Sequence, residues 1–263
     1  MSDEAFNPYL APRTPSGPDP DPSAAGPGAG YRPLKARGFW TVSLLSLGLV
    51  LGLAGSAALL SQAALLRRAA EGQAITEEEA QFNDARINGV EGLQALTALA
   101  TGLAFVMWSY RARHNLPALG ATNLKYSPAW MVWGWFVSIF SFFRPIQAIG
   151  EVWRESRPHP DPDSPDFPLP PGARYPGLLV AWWTCMIFWF IVPNLRNLAR
   201  VTAQSNAELR NMTWLILGLD LIGCAACILG IALVRGLTAR QGDQHRRLSG
   251  ADPFSDPVDD PWA

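Results

Sequence analysis

Apolar residues in this chain come in long blocks, without the alternation of a half-buried strand or the turn-spaced stripe of a surface helix. Four blocks are clear, at 39–66, 92–110, 177–195 and 212–234. Each is near or above the roughly 20 residues that carry an α-helix across a bilayer. The pattern predicts an all-α, polytopic membrane helix bundle over residues 38–240. Between the first two blocks, Thr76 followed by Glu79 fits a capping box. It predicts a helix starting near Glu77 and running on into the second block.

A fifth stretch, Ser127 to Ser156, is ambiguous. Ser127-Pro128 is a good helix start, with Ser as N-cap and Pro at the first helical position. Fifteen apolar or near-apolar residues follow, Ala129 to Phe143, and then Arg144-Pro145. As a helix those fifteen residues reach about 22 Å, short of the roughly 30 Å hydrocarbon core. Extending the helix over 129–149 would put Arg144 and Gln147 in hydrocarbon and break the backbone ladder at Pro145. An uncompensated arginine there costs at least ~2.5 kcal/mol.

Charge then decides between topologies. If 129–149 crosses, the 21 basic residues divide almost evenly between the two sides. If it enters and returns, fifteen gather on the side of the N-terminus and six on the other, all six from 67–91 and 196–211. The second distribution obeys the positive-inside rule. The expected architecture is four full spans plus one short, broken re-entrant or interfacial helix, with both termini cytoplasmic. The alternative is five spans, the third kinked at Pro145.

Composition agrees. Residues are 49 % hydrophobic and only 16 % charged, against roughly 25 % charged in soluble domains. A net charge of −1, with no basic reading module, argues against nucleic acid as a partner. Of 23 prolines, 19 lie in residues 1–37, 157–176 and the tail after 240. Segments of that composition cannot bury enough apolar surface to offset ordering. They are expected as a disordered cytoplasmic tail (1–37), an extended loop (157–176) and a disordered acidic tail (241–263). The block 39–66 is too long for a signal-peptide core and reads as a retained span.

Candidate chemistry is sparse. Asp220 lies near the middle of the last block, on one helix face with Cys224 and Cys227. A mid-membrane carboxylate is costly and marks a functional candidate for proton relay, cation binding or pairing with an arginine. The plainer account is a carboxyl hydrogen-bonded to groups such as Gln94 or Thr97. Cys224-Ala-Ala-Cys227 has the spacing of a redox motif. It lacks the helix N-terminus that stabilises a thiolate, so small packing residues explain it better. His114, His159 and His245 all lie outside the blocks, and no cluster suggests a metal or a cofactor. Gly48, Gly52 and Ser56 form a small-residue stripe, which fits a homodimer face or packing within the chain. Trp40, Trp108, Trp130 and Trp214 fall near block ends, as interfacial belt residues do.

The motifs Trp108-x-x-Arg111-x-Arg113-x-Asn115, Ser127-Pro128-x-Trp130, Gly134-Trp135-Phe136-Val137, Arg144-Pro145, Glu151-x-Trp153-Arg154-x-Ser156 and Trp182-Trp183 carry a resemblance. Over roughly 35–240 the chain resembles a family of bacterial, mostly actinobacterial, membrane proteins known as domain of unknown function 4328. Where relatives often continue Trp-Phe-Val with proline, this chain has Ser138, so a break expected there falls at Pro145 instead. The resemblance implies the architecture and no activity.

Two classes of function follow. A non-enzymatic membrane interaction or scaffolding protein would recruit cytoplasmic partners through its proline-rich tails. A small transporter, channel or lipid-binding protein would use Asp220, with Arg144 on the same polar path. A redox enzyme built on Cys224 and Cys227 is the weakest reading. The residues expected to matter are Asp220, Arg144, Glu151, Trp153 and Arg154, and the site is expected where 127–156 meets Asp220.

Overall fold

The computed structural model describes residues 30–122, 124–136, 142–156, 177–190, 192–202 and 205–250. The proline-rich segments 1–29, 157–176 and 251–263, and Ser138, lie outside them. Every regular element among the described residues is helical.

The first apolar block becomes α1, Lys35–Ala70, and the second joins its polar leader in α2, Glu77–His114. The capping box forms as expected. Thr76 Oγ1 accepts from the Glu79 amide while the Glu79 carboxylate accepts from the Thr76 amide. A 3-10 turn at Pro117–Leu119 follows, then α3, Trp130–Trp133, and α4, Arg144–Glu155. The third clear apolar block, 177–195, divides into α5, Gly177–Trp189, and α6, Val192–Thr202, which runs past its end. The last helix, α7, runs from Asn206 to Leu248.

Helices α1, α2 and α7 are long and apolar enough to cross a membrane, and α5 is a shorter apolar helix. Their outer faces carry Val50, Leu96, Leu99, Leu103 and Ile228, each more than half exposed. A helix hydrophobic all round needs an apolar solvent or a large core. Only 11 % of the most apolar window of α2 is buried within the chain, so most of that helix is left for an apolar surround of the kind a bilayer provides.

Helices α1 and α7 pack antiparallel in a tight register. Gly38 abuts Thr238, Gly48 abuts Cys227, Gly52 abuts Cys224 and Gly55 abuts Asp220. Gly48 and Gly52 of the small-residue stripe thus face α7 of the same chain, as the within-chain packing alternative expects. Cys224 and Cys227 are free thiols that fill the space the glycines leave. Trp108 on α2 bonds Thr238, and Thr97 lies beside Gly48 opposite Cys227. Therefore α2 and α7 run in the same direction, and the chain between them must travel back along the bundle.

That return is made by α5 and the start of α6. Trp182 lies against Gly230, Trp189 against Gly223, and Val192 joins Leu59, Ile216 and Leu217 in a small apolar cluster. Thirteen residues of α5 reach about 20 Å, less than the single span expected over 177–195. Pro193, in the first turn of α6, explains the division, because proline is tolerated at a helix start and breaks an interior.

The stretch 127–156 holds two short helices, α3 and α4, with residues 137–141 outside the described ones, and Ser127 makes no side-chain cap. Pro145 lies in the first turn of α4, where it starts a helix. The stretch also folds back toward its start. Lys125 and Tyr126 donate backbone N–H bonds to Glu151, and the Tyr126 hydroxyl bonds Gln147, so its two ends lie together.

Both expected tail boundaries also move. The helix passes Arg240 without a break, and Gln241 and Gln244 are buried. At the other end Leu34 is buried and Tyr31 stacks on His245 with ring centres 4.2 Å apart.

Candidate functional site

The described polar groups gather at two levels. The first is the end of the bundle where α2 and α7 finish. Glu151, carried by α4 and almost fully buried, accepts from the Lys125 amide at 2.6 Å and the Tyr126 amide at 3.1 Å. Arg113 on α2, equally buried, places its Nε 3.6 Å from the same carboxylate, an ion pair without a hydrogen bond from that nitrogen. Burial holds the Arg113 guanidinium below its ordinary range, and Glu151 opposes the shift. A guanidinium stays charged in proteins even so. The buried cation is therefore matched by one anion, as a buried charge requires.

Beside this pair runs a network of neutral groups. Asn115 accepts from the Arg32 amide at 3.2 Å and donates to the Arg32 carbonyl and to Gln241. Gln241 donates in turn to the Ala112 carbonyl at 2.8 Å and to Ser156 Oγ at 3.0 Å. Asn115, Ser156 and Gln241 are wholly buried. Four parts of the chain are tied here: the lead into α1, the end of α2, the end of α4 and the middle of the last turns of α7. Trp108 closes the level from below through its indole N–H to Thr238 at 3.1 Å. It is fully buried, which corrects its reading as a belt residue; Trp40 and Trp214 are exposed as belt residues are.

Trp153 and Arg144 join Glu151 at this level, and Arg154 does not. Trp153 is buried against Gly236, with the Arg240 guanidinium 3.9 Å above its ring, a cation–π geometry. Arg144 lies over the rings of Trp130 and Tyr126 at 5.3 and 5.8 Å. Arg154, on the opposite side of α4, is exposed.

The second level is deep in the bundle. Asp220, 3 % exposed, and Gln94 both meet α1 at Gly55. A Cβ there would stand 2.7 Å from Gln94 Nε2 and 3.3 Å from the Asp220 carboxylate, so glycine is what lets both approach. Gln94 also donates to the Leu51 carbonyl. Of the companions expected for Asp220, Gln94 is at its level, whereas Thr97 packs against Gly48 one turn away. A notch lined by Gly55, Val90, Glu91 and Gln94 leaves room for about one water molecule.

The two levels are separate. Trp153 touches α7 at Gly236, sixteen residues beyond Asp220, which at the helical rise is about 24 Å. Among the described residues of the 127–156 stretch, Trp153 meets α7 at Gly236 and Arg144 lies over Trp130 and Tyr126, away from the Gly55 level of Asp220. Among the described residues no group of three or more His, Cys, Asp or Glu is placed to hold a metal ion.

Sequence reasoning gave Arg113, Asn115, Gln241 and Arg240 no role. A signal existed for Gln241: Leu233, Leu237, Gln241 and Gln244 continue one helical face past Arg235, where the apolar block ends. No curated protein and no solved structure matches this chain. A family model matches residues 71–239, a range that holds α2, the Arg113–Glu151 pair and Asp220. The chain belongs to the family described as Domain of unknown function (DUF4328).

Proposed function

We propose that this protein is a multi-pass scaffold of a bacterial cell membrane that gathers cytoplasmic partners at one end of its helix bundle. Four crossings are made by α1, α2, α5 with the start of α6, and α7, while α3 and α4 enter and return. The juxtaposition of Tyr126 and Glu151 supports the return. The parallel course of α2 and α7 supports a crossing between them. The fifteen-to-six division of basic residues supports a cytoplasmic location for both termini.

The observation that carries the reading is where the proline-rich segments attach. Segment 1–29 joins at Gly30, beside the Tyr31–His245 stack. Segment 157–176 joins at Ser156, bonded to Gln241, and at Gly177, five residues before Trp182. Segment 251–263 joins at Gly250, beyond the end of α7. All these points lie at the end held by the Arg113–Glu151 pair and its neighbours. Proline-rich chain docks to partners at low entropic cost because its extended form is already restricted.

Deleting residues 1–29 tests this directly, since Arg32 and Leu34 belong to the folded part and should stay. The variant should integrate into membranes as before and lose soluble proteins that crosslink to the intact chain. An unchanged set of crosslinked proteins would refute the role of that segment.

A further inference from the structure

Helices α1 and α2 bring three arginines together where both leave the proposed bilayer. Arg37 donates from its guanidinium to the Met107 carbonyl at 2.9 Å. Met107 is one turn before Arg111, and Asn115, one turn after it, holds Arg32 through both backbone groups. Arg111 therefore lies between the two anchor points. Its guanidinium is held below the ordinary range, first by burial and then by the fields of Arg37 and Arg32. Among the described residues no carboxylate pairs with any of the three. Like charges held close without an anion leave a site of strong positive potential.

The surface below them is apolar and faces outward. On α1, Trp40 and Leu47 follow Arg37 at i+3 and i+10, one helical face, and are 64 % and 47 % exposed. On α2, Leu103, Met107 and Arg111 stand at i, i+4 and i+8, and the two apolar residues are 58 % and 56 % exposed. The Arg37–Met107 bond joins the stripes into one surface with a cationic top and a greasy flank. That polarity is the inverse of an anionic phospholipid.

We propose that Arg32, Arg37 and Arg111 hold the anionic headgroup of a phospholipid whose acyl chains lie along Trp40, Leu47, Leu103 and Met107. The site rests on the reading that α1 and α2 cross a bilayer. It lies outside Asp220 and outside the buried pair, and it would favour anionic lipid on the cytoplasmic side.

The test is native mass spectrometry of the full chain in detergent with phosphatidylglycerol or phosphatidylcholine of matched acyl chains. Phosphatidylglycerol should be retained preferentially. Affinity should fall about fivefold per charge removed near the headgroup, so roughly 25-fold in Arg37→Gln/Arg111→Gln. Arg37→Lys/Arg111→Lys should keep most of the preference, which separates lost charge from lost fold. Arg67→Gln, at the other end of α1, should change nothing. Equal retention of the two lipids, or an unchanged preference in the double glutamine variant, overturns the site. So does displacement of phosphatidylglycerol by inorganic phosphate at constant ionic strength, because the ligand would then be a free anion. Release of the chain from membranes by alkaline carbonate would instead sink the membrane reading, and the site with it.

Discussion

At the residue scale the molecule turns on Glu151. Its carboxylate accepts the backbone amides of Lys125 and Tyr126, which lead into the 127–156 stretch, and faces a buried arginine. Removing one partner of such a pair leaves the other charge buried and unmatched, which costs ~3–5 kcal/mol. Glu151→Gln should therefore lower the thermal midpoint of the detergent-purified chain sharply. Adding Arg113→Met should recover much of the loss, since the stranded charge goes with it. A Glu151→Gln chain that melts like the parent would show that the pair holds nothing. Glu151 stood out in the sequence because it sits in a motif rich in Trp and Arg. Arg113 did not, because nothing local distinguishes it from Arg111, and only the fold decides which arginine turns inward. Trp108 misled for a related reason. Its position near a block end is where interfacial tryptophans gather, but Thr238 offers its indole a partner inside.

At the scale of elements, the long apolar blocks and the capped start of α2 could be read from spacing and composition. Their ends could not. Helix α7 continues because Leu237, Gln241 and Gln244 keep one face packed, and a run of arginines around them looks like the start of a tail. The 127–156 stretch holds the short α3 and then α4, and local apolarity fixes neither where such helices end nor how they pack. Small residues gave a clear stripe on α1 with two possible partners. The structure fills it with Cys224 and Cys227. A Cβ at Gly52 would stand 2.7 Å from Cys224 Sγ, and overpacking of that kind costs ~1–3 kcal/mol. Gly52→Ala should destabilise the monomeric chain by that amount, and Cys224→Ala in the same chain should relieve it. Stability unchanged in Gly52→Ala, together with weakened crosslinking between copies, would place the stripe between chains instead.

For the whole molecule the governing fact is direction. Helices α2 and α7 run the same way, so the chain between them has to cross the bundle once, and α5 with the start of α6 does so. This relation joins residues more than a hundred positions apart, such as Trp108 and Thr238, and it cannot be seen from hydropathy. The charge distribution pointed to the same topology by a separate physical route, the preference of basic loops for the cytoplasm. Both support the proposal that the ends of the described chain, the ends of the proline-rich loop and the buried Arg113–Glu151 pair share one side.

The most direct test of that account is reporter topology at two positions. One reporter is inserted within residues 157–176 and another is fused after Gly250, beyond the packed turns of α7. Four crossings with a returning 127–156 stretch predict a cytoplasmic signal from both. An external signal from either position would contradict it, and external signals from both would make that stretch a fifth span.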